Sequence, residues 1–256
     1  MFLNCAKSEI MNSSTNTPAL AFRPLYKQVV GLVTRSLEIG EWKPGVALPS
    51  EAELAVRYGV SQGTVRKAID ELVSGNLLIR RQGKGTFVAT HTDPDSFARF
   101  LCLAPNDGEH RAVSNVPLAC WRAKAGSDVA RHLGVVPGAL VIIVRRLLRI
   151  GDDPAAFDEI YLPGELFSEL TMDVLKSAES SLYSLFESRF GVRAIRAKER
   201  LRAVNADKVS AEALQVAEGS PLLLAERVTF TYGDKPVEWR RGFYSTGNCH
   251  YYNELG

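Results

Sequence analysis

Residues 48–73 read Leu48-Pro49-Ser50-Glu51-Ala52-Glu53-Leu54-Ala55-Val56-Arg57-Tyr58-Gly59-Val60-Ser61-Gln62-Gly63-Thr64-Val65-Arg66-Lys67-Ala68-Ile69-Asp70-Glu71-Leu72-Val73. Ser50 with Glu53 three residues on is a capping box, so a short helix starts there. It runs to about Tyr58 and stops at Gly59. Ser61 caps a second helix. On it Val65, Ala68, Ile69, Leu72 and Val73 repeat at the spacing of a helix packed on one face. Two helices joined by a short Gly-containing turn make a helix-turn-helix. Upstream, Leu25, Val29, Leu32, Val33 and Leu37 recur at the helical period over 24–39, between Pro24 and Gly40, and the turn Lys43-Pro44-Gly45 follows. Downstream, Leu77–Arg81 and Thr86–Val88 flank Gln82-Gly83-Lys84-Gly85, which reads as a hairpin. Three helices and a hairpin in that order predict a winged helix-turn-helix.

If Val65, Ala68, Ile69 and Leu72 point inward, Gln62, Gly63, Arg66 and Lys67 lie outward near the helix N-terminus. A major groove admits a helix end and is read by long hydrogen-bonding side chains. Gln pairs with adenine, and Arg pairs with guanine or grips a phosphate. A Lys between two glycines at the hairpin tip suits a wing laid on a phosphate or in a minor groove. Residues 1–90 carry 11 Lys and Arg against 7 Asp and Glu, whereas residues 91–256 carry 20 against 22. The basic front end points to an anionic partner for that part alone.

Residues 24–88 resemble the DNA-binding domain of the GntR family of bacterial transcription regulators. The matching stretches are Pro24–Val29, Pro44–Glu51, Leu54-Ala55, Gly59–Arg66 and Gly83–Val88. The resemblance implies that Ser50, Ser61, Thr64, Arg66, Gly83 and Lys84 touch DNA, together with Gln62 and Gly63 on the outer face. Many members carry Arg where this chain has Ala52 and Gln62, so a shifted base preference is expected opposite Gln62.

The remainder alternates. Strand-like runs cover 112–124, 139–150, 155–162, 193–204, 221–232 and 236–246. Helices fit 127–133, 164–170, 181–190 and 208–215, with Ser127 and Asp207 as caps. Gly151-Asp152-Asp153-Pro154 and Gly233-Asp234-Lys235-Pro236 look like hairpin tips. Hairpins joined to helices predict a mostly antiparallel α+β domain. About residues 100–250 resemble the UTRA domain, the effector-binding half of the HutC subfamily, whose fold is shared with chorismate lyase. Its landmarks are Tyr161–Phe167, Ser181–Leu185, Gly219–Leu223 and Pro236–Trp239. By position, the resemblance implies an effector pocket of Arg146, Asp158, Ser181, Glu238 and Tyr244. Arg and Ser hold an anionic group, while carboxylates and Tyr read hydroxyls or amines. Phosphate-binding members place a second Arg where this chain has Leu148, which weighs against a phosphate.

The expected division is a flexible leader over 1–19, a winged helix-turn-helix over 20–89, a linker over 90–98 and a UTRA domain over 99–256 that also dimerises. Met11 is an alternative start. One helix-turn-helix reads one half-site, so a homodimer on a palindromic double-stranded operator is expected. The apolar fraction of 46% and charged fraction of 23% exclude a chain disordered over most of its length. No apolar run reaches the roughly 20 residues of a membrane span. With no signal peptide and four scattered cysteines (Cys5, Cys102, Cys120, Cys249), the expectation is a cytoplasmic protein with reduced thiols. His91, His110, His132 and His250 lack metal-ligand spacing, so neither metal nor cofactor is expected. The leading reading is a ligand-responsive repressor and not an enzyme. A ligand-independent repressor and a lyase-like enzyme on the C-terminal fold are the alternatives.

Overall fold

The computed structural model describes residues 23–91, 103–109, 111–178 and 181–252. The expected leader, and all of the expected linker beyond Thr90 and His91, lie outside the described residues.

Helix α1 (Leu25–Glu38), α2 (Glu51–Tyr58) and α3 (Gln62–Ser74) are followed by β1 (Leu78–Arg81) and β2 (Gly85–Val88). The two helix starts form as their side chains dictate. Ser50 Oγ accepts from the Glu53 amide, and the Glu53 carboxylate accepts from the Ser50 amide at 2.8 Å. Ser61 Oγ accepts from the Thr64 amide at 3.2 Å. Ser50→Ala removes one half of that box, and a cap of this kind contributes about 1 kcal/mol. Thermal unfolding of the variant should show that loss in the transition of the N-terminal domain.

Val29, Val33 and Leu37 of α1 meet Leu54 of α2 and Val65, Ala68, Ile69 and Leu72 of α3 in one core, closed by Leu78 and Val88 of the wing. Val73 is only half-buried, at the margin of that core. The wing is wider than a hairpin. Residues 45–48 run along the free side of β2, with Leu48 N donating to Thr86 O at 2.8 Å and Val88 N to Val46 O at 2.9 Å. This pins the turn before α2 to the wing, so helix pair and wing move as one piece.

The second half is a six-stranded antiparallel sheet of order β4-β5-β6-β9-β8-β7. Its strands are β4 (Val113–Lys124), β5 (Leu140–Ile150), β6 (Asp153–Pro163), β7 (Arg196–Asn205), β8 (Pro221–Phe230) and β9 (Pro236–Tyr244). A separate ribbon pairs β3 (Leu103–Pro105) with β10 (Cys249–Tyr251). On one face, α4 (Ser127–Leu133) packs near Trp239, and α7 (Lys208–Leu214) packs against Leu147, Phe157 and Phe243. On the other, α5 (Met172–Lys176) and α6 (Leu182–Phe190) cover Ile142, Val144, Ile160 and Leu162, while the β3–β10 ribbon covers Leu148, Ala156 and Tyr244.

Three expectations need correction. Residues 164–170 form turns, not a helix, and the helix lies later, at Met172–Lys176, where Thr171 Oγ1 accepts from the Val174 amide. The cap of α4 is Gly126, with no side-chain cap bond, and Ser127 is its first helical residue. The strand expected over 193–204 starts only at Arg196, because Arg193 is drawn toward the N-terminal domain.

Candidate DNA-reading face and buried effector cluster

The N-terminal end of α3 is open to solvent. Ser50, Ser61, Gln62, Gly63, Arg66, Gly83 and Lys84 are all exposed, and Thr64 is partly covered by its hydrogen bond with Ser61. Ser61 caps α3 while it also faces outward, so the residue that starts the helix stands at its positive end. Gly83, at φ 69°, makes the tip turn that pushes Lys84 forward. The guanidinium of Arg66 is held to Glu51 at 2.9 Å, and Arg80 of β1 reaches the same carboxylate at 3.4 Å and Asp70 at 2.6 Å. Glu51 therefore sits between two guanidinium groups. Arg80 is a member of this face that motif reasoning missed, because only the pairing of wing and helix brings it there.

Four of the five residues expected in the effector pocket, Arg146, Asp158, Glu238 and Tyr244, lie on the sheet face shared by α5, α6 and the β3–β10 ribbon. The register places Arg146 opposite Asp158 and Asp158 opposite Gly242. Along β9, Glu238, Arg240, Gly242 and Tyr244 alternate with Trp239, Arg241 and Phe243, so the first four share a face. Arg146 donates through Nε to Asp158 Oδ2 at 2.8 Å, and Arg240 reaches the same oxygen at 3.4 Å. Arg240 also donates to Glu238 Oε1 at 2.6 Å. Glu238 Oε2 accepts from Tyr183 of α6 at 2.7 Å. Asp158 and Glu238 are fully buried, and Arg146, Arg240 and Tyr244 nearly so.

Ser181 stands apart from this chain of contacts. Its hydroxyl accepts from the Ser184 amide as the cap of α6, one residue before the helix that carries Tyr183. Two residues missed from sequence, Arg240 and Tyr183, hold the cluster together, and Arg227 and Thr229 enter from β8. The alternation Glu238-x-Arg240 was a signal available in the sequence. The position of Tyr183 was not, since it depends on where α6 packs.

Burial pushes the Glu238 carboxyl upward, but Arg240 beside it and the Tyr183 hydroxyl outweigh that, so it stays below the usual carboxylate range. Burial and the neighbouring Arg240 lower Arg146, against the pull of Asp158. Burial and then the Asp158 carboxylate raise the Tyr244 hydroxyl, which keeps it a hydrogen-bond donor. Asp158 Oδ1 is buried without a hydrogen-bond partner. A Cβ on Gly242 would lie 2.8 Å from that oxygen and 3.0 Å from the Tyr244 hydroxyl. Glycine at 242 therefore leaves the space above β9 that the Asp158 carboxylate and the Tyr244 phenol both border.

A family model described as bacterial regulatory proteins, gntR family, matches residues 25–88, and the UTRA domain model matches residues 109–247. The chain is 33% identical over 203 residues to the HTH-type transcriptional regulator Rv0792c of Mycobacterium tuberculosis, covering 76% of this chain and 72% of that one. It is 27% identical over 235 residues to the HTH-type transcriptional repressor NagR of Bacillus subtilis, covering 91% and 94%. Among solved structures, the ligand-binding domain of a GntR-family transcriptional regulator from Bordetella bronchiseptica matches with a TM-score of 0.60 and 43% identity, covering 62% of this chain and 98% of that one. Helix, wing and sheet each fall inside the matched ranges. The chain is a member of the GntR family of DNA-binding transcriptional regulators, of the type that carries a UTRA domain.

Proposed function

We propose that the protein is a cytoplasmic, ligand-responsive repressor that binds a palindromic double-stranded operator as a homodimer. The observation that carries this reading is the exposed N-terminal end of α3 beside the Gly83-Lys84 tip, on a domain whose helices and wing are tied into one piece. In it Gln62, Arg66 and Thr64 face base edges. Ser50, Ser61, Gly63, Gly83 and Lys84 contact the backbone. The division into domains is 20–89 for DNA, 90–98 as linker, and 99–256 for effector and dimerisation.

The effector is a small metabolite with an anionic group and at least one hydroxyl or amine. Arg146 and Arg240, which also hold Asp158, serve the anion. The unpartnered Asp158 Oδ1 and the Tyr244 hydroxyl take the donor and acceptor of the second group. Ser181 and Glu238 complete the contacts from the start of α6 and from β9. Effector binding then changes operator affinity through coupling between the two sites, typically about 1–3 kcal/mol.

Selection from fragmented genomic DNA at fixed near-physiological salt tests the reading. Enrichment of one short palindrome is expected. Enrichment of nothing, with and without a metabolite extract, would sink it.

A further inference from the structure

Among the described residues, several specific contacts between the two halves of the chain fall on α6 and on the few residues after it. Tyr183 and Glu187 lie one turn apart on α6, hence on the same side of the helix. Tyr183 points into the buried cluster and donates to Glu238. Glu187 leaves the domain. Its carboxylate accepts from the Thr90 hydroxyl and, at 3.0 Å, from the backbone amide of His91. Those two residues directly follow the wing. The His91 ring donates through Nε2 to Ala194 O at 2.7 Å, and its centroid lies 5.6 Å from that of Tyr183.

Beyond the left-handed Gly191 that ends α6, Arg193 is buried and reaches across. It donates to Asn76 O at 3.0 Å and to Leu77 O at 3.3 Å. Those are the carbonyls between the DNA-reading helix and β1. Arg193 also donates to the Tyr232 hydroxyl at 3.1 Å, and the ring of Tyr232 packs against the core of the DNA-binding domain.

We propose that α6 with residues 191–194 is a clasp, which grips the DNA-binding domain at both ends of its wing and is set by the buried cluster through Tyr183. This rests on the reading of that cluster as the effector site. A ligand that takes Glu238 or Arg240 away from Tyr183 shifts α6. That shift is felt at Glu187 and Arg193, since a helix of nine residues packed on a sheet moves as a unit. The closed clasp fixes one orientation of the DNA-binding domain, so two copies present their helices at one spacing. Opening it lets each domain turn freely, and an operator that demands a fixed spacing is lost.

The test uses the full chain without effector, with the selected operator duplex and a scrambled duplex as probes. Arg193→Ala should weaken operator binding about 10-fold, within the usual range of site-to-site coupling, and leave scrambled-duplex affinity unchanged. Tyr183→Phe, far from any DNA, should speed hydrogen exchange at the His91 amide and weaken operator binding in the same direction. If Arg193→Ala does not fold, Arg193→Lys replaces it, keeping the cation but only part of the carbonyl grip, with a smaller loss in the same sense. Operator affinity within 2-fold of wild type in the Arg193 variant that folds, together with unchanged His91 exchange in Tyr183→Phe, would overturn the clasp. Failure of the regulator reading looks different, because the wild-type chain would then prefer no duplex and the exchange result alone would decide the clasp.

Discussion

Arg146→Ala is expected to destabilise the C-terminal domain by about 3–5 kcal/mol, the usual cost of removing one partner from a buried pair. The size follows from what remains. Asp158 is fully buried, its Oδ1 already lacks a partner, and its Oδ2 would keep only Arg240 at 3.4 Å. Denaturant unfolding of the full chain, followed by tryptophan fluorescence, gives the number. Two of the three tryptophans (Trp121 and Trp239) report on the C-terminal domain and Trp42 on the other. The double variant Arg146→Ala/Asp158→Ala should lose much less than the sum of the single losses, because the second change removes the stranded charge. Additive losses, or a single loss under 1 kcal/mol, would mean the pair is not the buried contact described. Any effector assay on an Arg146 variant therefore has to be run below its lowered unfolding midpoint, or loss of fold will pass for loss of response.

Arg66→Ala should do the opposite: little to stability and much to DNA. Its side chain is 60% exposed and its bond to Glu51 is a surface pair, a kind that contributes at most about 1 kcal/mol. A good base contact is worth about 1–3 kcal/mol of discrimination, so operator affinity should fall about 10- to 100-fold while scrambled-duplex affinity falls far less. Lys84→Ala at the wing tip should lower affinity for all duplexes alike and reduce the salt slope by about one. Equal loss on both duplexes for Arg66→Ala would move that residue from base reading to phosphate contact. No loss at all would remove it from the interface.

The DNA-binding half was readable from sequence because its determinants are local. Ser50 and Glu53, Ser61, and the stripe of Val65, Ala68, Ile69 and Leu72 each specify a helix within a few residues, and each forms as read. The C-terminal half was legible in outline, since hairpin tips and alternation identify strands. Its errors fall where local signals compete. Residues 164–170 hold four helix-formers, Glu165, Leu166, Glu169 and Leu170, yet Gly164 is pressed onto Leu140, where a Cβ would lie 2.7 Å from its carbonyl oxygen. That close approach bends the chain into turns and delays the helix to Met172. All five candidate effector residues were expected together by resemblance, but the ion pairs that link Arg146, Asp158 and Glu238 depend on strand register and on the Arg240–Asp158 contact, which spacing alone does not reveal. Arg193 was read as part of a strand for the same reason. Its partners, Asn76 and Leu77, lie more than a hundred residues away.

The central claim is that this chain reads a specific DNA sequence as a two-fold pair. The direct measurement is a titration of purified protein onto the enriched palindromic duplex and onto a scrambled duplex of equal length, at one fixed salt concentration near physiological, with the mass of the complex determined in the same sample. The account predicts two chains per palindrome and a preference over the scrambled duplex of about 1,000-fold or more, the range of specific regulators. Equal affinity for both duplexes, or a single chain bound to the full palindrome, would contradict it.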